Sequence, residues 1–380
     1  MTFSFDLDTT EAGEVRMAIL IDGEVVWPHP DEADGCSDFN PEDVLSYLAD
    51  AWPSLLLAQS WPIRFEPDQE PRSITGLLRA AEGRWEQLVA SDLVEAESEG
   101  AVLDEFLYHH DLSQMKHGAG LNSCFVLRQQ THVRLETSRE VHEDIPFIAF
   151  VGELTRVGSF VADLLQRAGG STADRVIGRW NRRDENDPIT AAALISGLPR
   201  RDIEVSNDLQ DLLVSEIRNR PLSRIANDNS NPEYAVARSS GALGPAGLTY
   251  VLRRVRGVPD GNTAGISELR RLVQRNLRGI ERELDQGIRA ANRVRDWLGQ
   301  SDDEGVDLDA LSARLAIRVE RQQIPDTRLD GIATCGPRHG PAILLNLNTR
   351  RHGAGLQDLE RSLRFTWSHE IGHLLLVVRL

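Results

Sequence analysis

Apolar residues along the chain recur with two periods, and the switches between them mark out its elements. Glu14 to Ile21 alternates loosely, Asp22-Gly23 is a turn pair suited to positive φ, and Glu24-Val25-Val26-Trp27 returns, which predicts a hairpin. A Pro- and Asp-rich loop leads to Asn40-Pro41-Glu42-Asp43, where Asn40 can cap a helix and Pro41 can take its first position; that helix should run to about Leu57. Two further helices are predicted over 74–88 and 91–110. Alternation resumes at Cys124-Phe125-Val126-Leu127 and Val133-Arg134-Leu135-Glu136, a second hairpin, before a helix from about Asp144 to Arg167.

Short helices are predicted over 174–182, 188–196 and 209–218. The turn-rich run Asn227 to Pro232 and the glycine-bounded stretches 241–247 and 257–265 read as loops. From Gly265 to Leu298 the residues Ile266, Leu269, Val273, Leu277, Ile280, Leu284, Ile288, Ala291, Val294 and Leu298 recur at steps of three and four. They predict one long amphipathic helix. An acidic linker from Gly299 to Gly305 follows, then a helix over 309–315, strands over 317–320, 331–335 and 342–346, and a final helix from near Leu356. The pattern predicts a mostly helical α+β chain in three parts. These are an α+β N-terminal domain over 1–170, a helical domain over 171–300, and a compact core over 301–380 built as helix, small sheet and helix.

Charge changes this picture only locally. The net charge is −17, and residues 1–60 carry thirteen acids against the single base Arg16, whereas residues 199–300 carry seventeen arginines against thirteen acids. Those arginines are interleaved with Glu268, Glu281, Glu283, Asp285 and Asp296, the arrangement of a solvated, salt-bridged helix; it argues against direct nucleic-acid binding. No run approaches the roughly eighteen apolar residues of a membrane span, and Met1 to Asp6 lacks a signal peptide's basic flank and apolar core. A cytoplasmic location is expected. Cys36, Cys124 and Cys335 are too widely spaced for a disulfide framework or a cysteine zinc site, and are expected to be reduced thiols.

The chemistry concentrates in the final helix, in His369-Glu370-Ile371-Gly372-His373, an H-E-x-x-H sequence. One turn apart, His369 and His373 project from one helix face and can reach one zinc ion, with Glu370 beside them as general base. A catalytic zinc normally takes three protein ligands, and Leu374 to Leu380 offers no further one. Asp358 lies eleven residues before His369, about 16 Å along a helix, and Glu360 points to the opposite side. His339 and His352 lie in loops that could fold back. His109, His110 and Asp111 also invite a ligand reading. Neighbouring helix positions diverge by about 100°, however, which favours structural roles for them.

The run Arg364-Phe365-Thr366-Trp367-Ser368-His369-Glu370-Ile371-Gly372-His373-Leu374-Leu375-Leu376, preceded by the strand Ala342 to Asn346, resembles the ImmA/IrrE family of metallo-endopeptidases. The strong part of the likeness covers about residues 305–378. It implies a zincin-like core and a cytoplasmic bacterial or phage zinc protease that cleaves a helix-turn-helix repressor in a stress, mobile-element or defence response. By position, His369 and His373 would be metal ligands and Glu370 the general base. The family's third ligand, an acidic residue on a later helix, would fall after Leu380, so the resemblance implies a core incomplete at its C-terminal end. A non-catalytic sensor or binding protein on a degenerate peptidase scaffold is the alternative expectation.

Overall fold

In the computed structural model, which describes residues 1–29, 37–58, 61–63, 65, 71, 73–89, 93–117, 120–228, 243–259, 261–277, 283–301, 304–336, 339–349 and 356–376, the chain forms an α+β fold. It divides into two compact units, Met1–Arg200 with Ile217–Asn227, and Arg201–Glu216 with Asp228–Leu380. No helix among the described residues is long and apolar enough to cross a membrane.

The first unit begins with β1 (Phe3–Thr9), β2 (Val15–Ile21), β3 (Glu24–Trp27) and β4 (Ser37–Phe39). The β2–β3 hairpin turns at Asp22 and Gly23, with φ of 51° and 87°, as the sequence predicts. β1 is an addition to that prediction. It lies antiparallel along the whole of β2, while β3 and β4 pair with the two ends of β2 on its other side. The outer side of β1 meets a helix, α4 (Phe147–Ala168), rather than another strand. There the Phe5 N–H donates to Glu153 Oε2 at 2.9 Å, the Phe5 carbonyl accepts from the Arg156 guanidinium, and Glu153 and Arg156 bond each other at 2.8 Å.

α1 (Pro41–Leu57) starts as predicted, the Asn40 side chain accepting from the Glu42 N–H at 2.8 Å. It buries Val44, Leu45, Leu48, Ala51, Leu55 and Leu56, too many sides for a surface helix, and packs against α3 (Leu93–His110), α4, α5 (Ser171–Asn181) and α6 (Pro188–Ser196). α2 (Ile74–Val89) pairs with α3. α4 and α5 approach so closely that a Cβ on Gly158 would stand 2.1 Å from the Trp180 ring. The second hairpin is present as β5 (Cys124–Gln129) and β6 (His132–Thr137), joined by β7 (Val141–Pro146). β7 corrects one boundary: the helix expected from Asp144 begins at Phe147, because 141–146 pairs with β6 and Pro146, at φ −60° and ψ 126°, stands at the helix entrance.

Arg128, only 4% exposed, donates from its side chain to the carbonyls of Leu56, Ala226 (2.7 Å) and Gln130 (3.0 Å) and lies 3.7 Å over the Phe147 ring. A buried cation is tolerated there because carbonyl oxygens surround it. His110, the last residue of α3, and Asp111 after it serve the fold. His110 stacks on Phe106 at 4.0 Å and its Nδ1 lies 2.8 Å from the Phe106 carbonyl; burial pulls its pKa down to about 4, so the ring is neutral. Asp111 Oδ1 accepts from the N–H groups of Ser113 (3.0 Å) and Cys124 (2.8 Å). Cys124 and Cys335 are free thiols, and Cys36 lies outside the described residues.

The second unit contains α7 (Pro245–Arg256), which begins inside the loop predicted over 241–247 and runs on through residues 248–256, to which the pattern assigned no element. The long helix expected over 265–298 is two: α8 (Ala264–Leu277) and α9 (Glu283–Leu298), packed on each other. In a single helix Ile266 and Val294 would lie about 42 Å apart, yet both enter one core with Leu269, Val273 and Ala290. The second helix also starts in a new phase, so Ala290 and Val294 are buried while Ile288 and Ala291 face solvent. The same core takes in Leu308, Leu311, Ile343, Leu345, Leu363 and Trp367, so the segment assigned to the helical middle packs with the C-terminal part.

That part comprises α10 (Leu308–Arg314), β8 (Arg318–Gln322), β9 (Gly331–Gly336), β10 (His339–Asn346) and α11 (Leu356–Leu376). β10 is central, parallel to β8 and antiparallel to β9. All eight of its residues are buried, as expected of a strand covered on both faces. Its last residue, Asn346, ties down the loop between β8 and β9. Its Oδ1 accepts from the N–H groups of Ile324 and Asn348, both at 2.9 Å, and its Nδ2 donates to the carbonyls of Asp326 (2.8 Å) and Leu329 (2.7 Å). In the same loop the Asp326 carboxylate accepts from the Gly244 N–H at 2.9 Å and from the Arg328 guanidinium at 3.0 and 2.7 Å.

Candidate metal centre

α11 is helical because its apolar positions return every three or four residues. Leu363, Thr366, Trp367, Glu370, Ile371, Leu374 and Leu375 form the buried stripe, against β9, β10, α8 and α10. Trp367 anchors it through an indole N–H that donates to Ser312 Oγ on α10 at 3.1 Å. The far end of the helix is held by Arg270 on α8, whose guanidinium donates twice to the Leu374 carbonyl, at 3.0 and 2.6 Å. Carbonyls in a last helical turn lack helical partners, so this contact fixes the turn that carries His373.

The opposite stripe carries Phe365, His369 and His373, all exposed. His369 and His373 bring their Nε2 atoms to 3.0 Å, with ring centroids 4.5 Å apart and planes at 89°. A tetrahedral zinc with Zn–N bonds of about 2.05 Å spaces two nitrogens about 3.3 Å apart, so the pair stands close to two corners of such a site. Phe365, one turn earlier and 65% exposed, lies parallel to His369 with centroids 6.4 Å apart. His369, Glu370 and His373 form a group able to hold a metal ion, their ligand atoms all within 4.8 Å of one another.

Glu370 differs from its neighbours in burial. Only 7% exposed, it turns from the histidine stripe into the packing of α11 against β9 and β10. Burial raises its pKa to about 7; the Ala333 N–H opposes that rise and the charge of Asp330 adds to it. A carboxyl group balanced near neutrality can both take and return a proton. For His373 the shift is downward, from desolvation first and the neighbouring His369 second, which favours the neutral ring that a metal needs.

The structure thus brings together all three residues singled out in the sequence. His339 is not among them. It is buried at the start of β10, its Nδ1 3.2 Å from the Val258 carbonyl, and His352 lies outside the described residues. Among the described residues no further His, Cys, Asp or Glu joins the group. Sequence reasoning missed Asp330, Ala333 and Arg270. Ala333 acts through its main chain and Arg270 through a carbonyl on another helix, neither of which leaves a side-chain signature. No protein-family model matches the chain, and no curated protein or solved structure does.

Proposed function

We propose that the chain is a zinc-dependent endopeptidase acting on a regulatory protein. Its substrate would be a helix-turn-helix repressor of a stress, mobile-element or defence response, as the resemblance to the ImmA/IrrE family implies. The observation that carries the reading is the 3.0 Å approach of the two histidine Nε2 atoms beside a buried glutamate with a pKa of about 7. His369 and His373 would hold the zinc. Bound there, zinc would polarise the scissile carbonyl and make a water molecule easier to deprotonate. Glu370 takes the proton of the attacking water and returns it to the departing amine, its burial keeping both protonation states accessible near neutral pH. Glu370, buried where the histidines are exposed, would serve as the base and leave the ion to His369 and His373. Purified chain should carry about one zinc, and Glu370→Gln should keep that zinc while losing cleavage of a repressor encoded beside it. Zinc-free protein, together with a Glu370→Gln variant that behaves as wild type in the cell, would sink the proposal.

A second reading, a non-catalytic sensor or binding protein on a peptidase scaffold, is favoured by one observation: among the described residues the metal-capable group ends at His369, Glu370 and His373. It predicts that His369→Ala and His373→Ala leave partner capture and the biological response intact.

A further inference from the structure

The side chain of Glu370 lies against a position that has none. A Cβ on Gly331, the first residue of β9, would meet Thr366 Cγ2 at 2.8 Å, the Leu344 carbonyl oxygen at 3.2 Å and Glu370 Cγ at 3.4 Å. The backbone of Gly331 is ordinary strand, outside the positive-φ group, so conformation does not demand glycine; the approach of α11 does. Two residues further along the strand, the main chain of Ala333 stabilises the charged form of the Glu370 carboxylate and draws its pKa down. β9 pairs with β10 on one side only among the described residues, which leaves main-chain donors on its other side available. The strand is itself placed from behind: the Asp330 carbonyl accepts from the Asn346 N–H at 2.9 Å, and the Asn346 side chain fixes the loop that leads into Asp330.

We infer that Gly331 is a positioning residue for Glu370: by lacking a side chain it lets α11 close onto β9, where the Ala333 N–H seats the carboxylate beside the two histidines and off the metal. The inference rests on the metal-centre reading and adds to it a reason why Glu370 serves as a base and not as a ligand. A Cβ at position 331 would stand 2.8 Å from Thr366 Cγ2, so α11 has to back off β9 there and takes the Glu370 side chain, one turn along the same helix, away from Ala333. The carboxylate then becomes free to reach the ion.

Co2+ as the probe metal tests this without any substrate, since its visible d–d bands respond to the number and type of ligands. Metal-stripped full-length chain is titrated with Co2+ as wild type, Glu370→Gln, Gly331→Ala, Ala333→Pro and the double variant Gly331→Ala/Glu370→Gln. The expected result is a Glu370→Gln spectrum identical to wild type, shifted bands in Gly331→Ala and in Ala333→Pro, and a return to the wild-type spectrum in the double variant. If wild type and His369→Ala fail alike to bind Co2+, the metal-centre reading itself falls. If wild type binds Co2+ and Glu370→Gln alone shifts its bands, Glu370 is a ligand and the inference is overturned. Binding with an unshifted Gly331→Ala spectrum, or a shift that survives in the double variant, overturns it equally. Should the strand variants not fold, a shift of the Glu370→Gln bands by itself still overturns the inference.

Discussion

At the scale of single residues, the two histidines and the glutamate divide their work by burial. His369 and His373 face solvent while Glu370 sinks into the core, although all three lie within one helical turn of each other. His369→Ala and His373→Ala should therefore each abolish stoichiometric zinc with little loss of stability, because exposed side chains contribute little to the core; metal analysis beside urea unfolding checks both halves. Asp326 supplies the clearest pH dependence. Burial pushes its pKa up, but hydrogen bonds from Arg328 and Gly244 outweigh it and hold the carboxyl at about 2. The unfolded carboxyl, near its ordinary value of about 3.9, binds a proton first on acidification, so this stabilisation is complete above about pH 4 and disappears as pH falls toward 2. It amounts to about 2 kcal/mol. Asp326→Asn should flatten the stability of the second unit across that window, a difference measurable by denaturant unfolding at pH 5 and pH 2.5.

At the scale of elements, legibility followed how local the cause was. α1 could be read from Asn40 and Pro41 because a cap and a fixed φ act within four residues. The turn at Asp22-Gly23 was equally local. The break between α8 and α9 was not. In the sequence the apolar residues keep their steps of three and four across it, and it is the shared core of Ile266 and Val294 that shows the chain folding back. α7 was lost for a related reason, since its neighbouring glycines speak for loops and its one local start signal is Pro245. The candidate site was readable as far as His369, Glu370 and His373, whose spacing on one helix is local. Its support from β9 and α8 comes from residues 33 or more positions away. The α4–α5 contact belongs to this scale as well. Gly158→Ala would drive a methyl group into Trp180, so a loss of several kcal/mol, at or beyond the about 1–3 typical of overpacking, is expected in urea or thermal unfolding of the first unit.

At the scale of the whole molecule, the chain forms two compact units, and the metal-capable group found among the described residues lies in the second. Zinc should thus stabilise the molecule unequally. At a free concentration about a hundredfold above its dissociation constant it adds about 2.7 kcal/mol to the unit that binds it, raising one thermal transition and leaving the other in place. A uniform shift of both transitions would count against the assignment. The outer side of β1 bears on how molecules meet one another. A strand edge with free N–H and carbonyl groups is a template on which another chain can build, and at Phe5 that template is occupied by Glu153 and Arg156, one carboxylate and one guanidinium filling the places of a neighbouring strand's carbonyl and amide. Such a guard is made of charge, so it should weaken where charge is lost or screened. Glu153→Ala/Arg156→Ala protein should fold and bind zinc as before, yet gather into β-rich aggregates at concentrations where the wild-type chain stays dispersed, which light scattering and thioflavin fluorescence would reveal.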